Sequence, residues 1–140
     1  MKAAWNGDAE MVKHLLAAGA NVNAVNKNNL TALFMAALQG RLEILRILVD
    51  AGAGVNTCNK DGWPVVMAAA RNGHAEVVRQ LIIAGADVNV ASNKGGTALG
   101  AAEWAANNQA EIRKMADEGY IVGFEHAEIV RLLKAAGARR

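Results

Sequence analysis

The sequence repeats itself every 33 residues. AGANVNA begins at Ala18, AGAGVNT at Ala51 and AGADVNV at Ala84, and Gly7, Gly40 and Gly73 keep the same step. A fourth ending, AAGAR, closes the chain with Gly137 in the glycine position. A fixed period of this length constrains the fold strongly. Each unit is one supersecondary element that can bury its apolar face only against its neighbours. The expected architecture is an all-α solenoid.

Within each unit the pattern predicts a helix, a turn, a second helix and a loop. The second helices read DAEMVKHLLAAG from Asp8, RLEILRILVDAG from Arg41, HAEVVRQLIIAG from His74 and HAEIVRLLKAAG from His126. Apolar residues recur at i, i+1, i+4 and i+5, as in Val77, Val78, Leu81 and Ile82, which is helical spacing and not strand alternation. Glu10, Glu43, Glu76 and Glu128 fall in the first turn, where negative charge complements the helix dipole. Gly19, Gly52, Gly85 and Gly137 follow the last turn as C-caps. The first helices, from Thr31, Pro64 and Thr97, are rich in alanine, and Ala36, Ala69 and Ala102 allow close backbone approach. Pro64 suits a first helical position. NKNN from Asn26, NKDG from Asn59 and SNKGG from Ser92 predict hairpin-like loops. A 53% hydrophobic content with only 4% aromatics fits closely packed helices better than a β-sandwich.

These residues resemble the ankyrin repeat family over essentially the whole chain, through the 33-residue period, the G-H-x-E-[VI]-V helix start and the G-A-x-V-N ending. The family's T-P-L-H-x-A signature reads TALFMA, PVVMAA and TALGAA here. Phe34, Met67 and Gly100 hold the histidine position, so the resemblance implies a fold without the usual Thr–His bond and with less regular inner turns. Asn29 stands where the family has a turn glycine, and asparagine accepts a left-handed backbone.

The predicted divisions are a partial repeat over 1–25, repeats over 26–58 and 59–91, and a last repeat over 92–140. The first copy lacks its loop, so a truncated or capping unit is expected. The last copy carries 19 extra residues, because His126 lies 52 residues beyond His74. This insertion, near 107–125, reads as a lengthened first helix followed by a loop. Tyr120 and Phe124 are its candidate anchors, and it acts either as a cap or as a functional arm. Lys134 replaces the apolar Ile82 of the preceding copy, as a solvent-facing end requires.

Function is expected on the concave face that loops and first helices build in repeat stacks. Trp5, Leu38, Arg71 and Trp104 stand one period apart and form a predicted ridge. Leu30, Trp63 and Gly96 form a second row behind the loops. The three tryptophans therefore fall on one expected surface, and tryptophan and arginine are enriched at interface hot spots. Local packing is the competing role, with Trp5 covering the first unit and Trp104 lying under the insertion. Lys27, Lys60 and Lys94 decorate the loop tips, either steering an acidic partner or serving as a solvated rim.

Other classes find little support. A net charge of +2, with Asp61 and Glu103 interrupting the basic strip, argues against nucleic acid. No apolar run approaches the roughly 20 residues of a membrane helix. The one cysteine, Cys58, cannot form an intramolecular disulfide and fits a reducing compartment. His74 and His126 share a repeat position, His14 lies inside a helix, and no nucleophile set, phosphate loop or metal motif is present. Asn23, Asn56 and Asn89 are expected to satisfy turn hydrogen bonds. The expectation is a monomeric, cytoplasmic protein-binding module without cofactor, metal or catalytic residues. The alternative is a regulatory or scaffolding segment of a larger enzyme or multidomain protein.

Overall fold

A computed structural model describes residues 1–119 and 125–138. Tyr120 and Phe124 lie outside the described residues. Nine α-helices and no strands occur among the described residues: α1 Lys2–Asn6, α2 Ala9–Ala17, α3 Ala32–Leu38, α4 Leu42–Asp50, α5 Val65–Arg71, α6 Ala75–Ile83, α7 Ala98–Asn107, α8 Gln109–Asp117 and α9 His126–Ala135. The first helices α1, α3, α5 and α7 pack in sequence to form one layer. The second helices α2, α4, α6 and α9 pack behind them as another, each against its own first helix.

The side chains explain this arrangement. In α5, Val65 through Ala70 are all buried, so a helix of small and medium residues fills the space between α3, α6 and α7. Helices with such short side chains can approach closely. Ile44, Leu45 and Leu48 of α4 and Val77, Val78 and Leu81 of α6 supply the larger apolar contacts. Thr31 and Thr97 cap α3 and α7, accepting from the backbone N–H of Phe34 and Gly100 at 3.2 and 3.1 Å. These two inner turns therefore keep a hydroxyl cap without a histidine in the fourth position. Pro64 sits one place earlier than expected, as the N-cap of α5 with ψ 160°. An extended proline still ends the loop there, since it needs no hydrogen-bond acceptor for its nitrogen.

Neighbouring units are joined by polar side chains. Asn23 accepts from the Gly54 N–H at 2.8 Å and Asn56 from the Asp87 N–H at 2.7 Å. Asn89 donates to the Gly137 carbonyl at 3.2 Å. These asparagines bond to the next unit and not only within their own turns. A second seam runs beneath the ridge. His74 Nε2 lies 3.1 Å from the Leu38 carbonyl, and His126 Nε2 lies 2.9 Å from the Arg71 carbonyl. Arg41 reaches the Trp5 carbonyl at 3.4 Å. Gly40 makes the seam possible: a Cβ there would come within 2.5 Å of the His74 ring, and its φ of 69° is unfavourable for other residues.

The insertion differs from the expected single lengthened helix followed by a loop. The chain turns at Asn108 and forms a separate helix, α8, which packs on α7 and buries Ile112. Gln109 holds this corner by donating to the Ala105 carbonyl at 2.7 Å, and its amide lies 3.4 Å from His126 Nδ1. α9 then pairs with α7 as the other second helices pair with theirs.

The two ends of the stack differ. Met11 and Leu15 of α2 are 46% and 44% exposed, although their repeat equivalents Ile44 and Leu48 are 2% exposed. α9 instead exposes Arg131 and Lys134, the latter 3.9 Å from Glu103.

Candidate functional site

The four ridge residues stand near the ends of adjacent first helices. Leu38 and Arg71 close α3 and α5, Trp104 holds the matching place in α7, and Trp5 lies in α1. The seam explains their common placement. The carbonyls of Trp5, Leu38 and Arg71 are each held by the residue that starts the next second helix. Asn72 also donates to the Leu38 carbonyl, at 3.0 Å. The backbone of this row is thereby fixed while its side chains remain free to vary.

Three of the predicted residues come together. The Arg71 guanidinium lies over the Trp104 ring, 4.5 Å from its centroid, and over the Trp63 ring at 5.7 Å. A cation over an indole face is attracted by the ring quadrupole, by about 0.5–1 kcal/mol when exposed and up to roughly 2 kcal/mol when desolvated. Arg71 thus links the ridge to the row behind the loops. Trp104 remains 41% exposed, so the described part of the insertion, α8, does not bury it. Trp63 is half-buried against the core.

The loop sets the position of Trp63. Asn59 Oδ1 accepts from the backbone N–H groups of Asp61 and Trp63, both at 3.0 Å, and the Asn59 N–H donates to the Trp63 carbonyl at 3.1 Å. The same turn is made by Asn26 with Leu30 and by Ser92 with Gly96. Asn29 adopts the left-handed conformation expected of it, with φ 61°. Adjacent tips are tied together, with Asn29 donating to the Cys58 carbonyl at 2.9 Å and Asn93 to the Lys60 carbonyl at 3.0 Å. Asn93 holds the repeat position of Lys27 and Lys60, which explains why Lys94 falls one residue out of register. Lys27, Lys60 and Lys94 are all exposed. Asp61, Trp63, Asn93 and Lys94 line a notch between two tips.

The other predicted residues do not join this cluster. Leu30 and Leu38 are half-buried and pack on the core. Trp5 is 40% exposed and lies at the other end of the row. The spacing of equivalent positions revealed the row but not the contact between Trp63 and Arg71, which joins two different positions of the repeat. The roles of Asn72 and Asn93 are not visible along the rows either, although Asn93 interrupts the lysines at 27 and 60.

The remaining chemistry is sparse. Partial burial pushes the Cys58 thiol above its ordinary pKa, which disfavours the reactive thiolate. Among the described residues no group of His, Cys, Asp and Glu side chains is placed to hold a metal ion. No described helix is long and apolar enough to cross a membrane.

A family profile described as ankyrin repeats (3 copies) matches residues 1–92 and 51–119. No curated protein matches the chain significantly. Ankyrin repeats are generally protein–protein interaction modules. The periodic helix pairs, the tied loop tips and this match together identify the chain as a member of the ankyrin repeat family.

Proposed function

We propose that this chain is a protein-binding module whose partner docks on the face carrying the first helices and loop tips. The cluster of Trp63, Arg71 and Trp104 supports this reading most strongly. It combines two large indoles and a cation on one accessible surface, and these residue types dominate interface energetics. Leu38 extends the apolar contact, with Leu30 and Trp5 toward the other end. Lys27, Lys60 and Lys94 form a basic rim that accelerates approach of an acidic partner more than it tightens the complex. The reading takes the chain as a cytoplasmic monomer that binds neither nucleic acid nor membrane. The single thiol, Cys58, is compatible with a reducing compartment.

Affinity capture from the source cell tests this, using the unaltered chain and the Trp63→Ala and Arg71→Ala variants side by side. The expected result is a protein retained by the unaltered chain and lost from both variants while their helical content is preserved. Equal recovery on all three chains would count against this face.

A further inference from the structure

We infer that the docking surface takes an acidic peptide segment of its partner, with one Asp or Glu carboxylate seated on the Arg71 guanidinium; this rests on the reading of Trp63, Arg71 and Trp104 as the docking surface. Arg71 carries the inference. Its guanidinium lies over both indoles, so its position is set before a ligand arrives. Among the described residues no carboxylate forms an ion pair with it. Its Nε is buried and makes no hydrogen bond there. Among the described residues this cation is flanked by two aromatic rings and has no carboxylate acceptor.

The chemistry of the missing group follows from guanidinium geometry. The cation presents N–H donors in a planar fork, and stacking occupies its faces and not its edge. A carboxylate matches that fork with two parallel hydrogen bonds. The neighbouring charge points the same way. Lys60 and Lys94 are exposed at the tied loop tips, and Asp61 is the acid beside them. A peptide with one carboxylate on Arg71 and further acids toward Lys60 and Lys94 satisfies this pattern. A single-stranded nucleic acid fits less well, because the guanidinium already covers a face of each indole that a base would stack upon.

Random peptides displayed on phage and selected on the full 140-residue chain supply the probe. The expected result is a set of binders sharing Asp or Glu at one aligned position. Changing that residue to its amide in a synthetic peptide should weaken binding by at least about tenfold. Arg71→Met should show a similar loss, with a thermal melt confirming its fold. The peptide-side substitution needs no altered protein and decides the matter if Arg71→Met does not fold. Amide peptides that bind equally well, yet fail on Trp63→Ala and Trp104→Ala, would overturn the inference and leave the docking surface standing. Binders indifferent to all three protein substitutions would overturn both readings. Selection that yields no binder, or a mixed-sequence DNA strand that binds more tightly than the selected peptides at the same salt, would also overturn the acidic-segment inference.

Discussion

The first and last copies of the repeat use the same positions for different purposes. Leu15 in α2 is 44% exposed, whereas its equivalent Leu133 in α9 is fully buried. Trp5 and Leu38 begin the ridge, while Arg71 and Trp104 continue it as a stacked pair that also engages Trp63. The period sets where a residue stands, and the neighbours decide what it does. In the seam the contribution is a backbone carbonyl, so Trp5, Leu38 and Arg71 are interchangeable there. On the surface the contribution is a side chain, and there they are not.

The largest expected difference between these regions concerns stability. Leu133→Ala should cost about 2–5 kcal/mol by removing a filled core position, whereas Leu15→Ala should cost under about 1 kcal/mol. Denaturant melts of the two variants measure this, and similar costs would mean that α2 is not exposed as described. The seam offers a second comparison. Gly40→Ala should destabilise by about 1–3 kcal/mol more than Gly52→Ala, because both have positive φ but only Gly40 lacks room for a Cβ. Equal melting points would argue against close approach of the His74 ring.

Smaller effects separate the rim from the seam. His126→Ala should lower stability by about 1–3 kcal/mol, since it leaves the buried junction with the Arg71 carbonyl unmet. Lys27→Gln and Lys60→Gln should change stability by less than about 0.5 kcal/mol and mainly reduce the salt dependence of partner association. Association rates measured over a range of salt concentrations check the second part.

The repeat pattern made the helix pairs, their C-caps and the common surface legible in the sequence. Gly19, Gly52, Gly85 and Gly137 mark the helix ends because a left-handed cap is a local requirement that a single residue type satisfies. Phe34 and Gly100 did not disturb their inner turns, because the Thr31 and Thr97 caps need only a backbone N–H; Met67 lies in α5, which starts at Pro64 with no side-chain cap. The insertion was less legible. Asn108 with Glu111 three places on matches a helix-start pattern that a lengthened first helix overlooks, while nothing local announces the burial of Ile112. The link between Trp63 and Arg71 was hidden for a different reason. It joins a loop position to a helix end, and a comparison of equivalent residues looks only along rows.

The most direct test of the proposed binding face is a calorimetric comparison on the captured partner. Arg71→Ala, Trp63→Ala and Trp104→Ala should each weaken binding by about 1–3 kcal/mol with little change in fold, while Leu30→Ala and Trp5→Ala should each change it by less than about 1 kcal/mol. Full affinity in the first three variants, or a loss confined to the last two, would contradict the placement of the docking site.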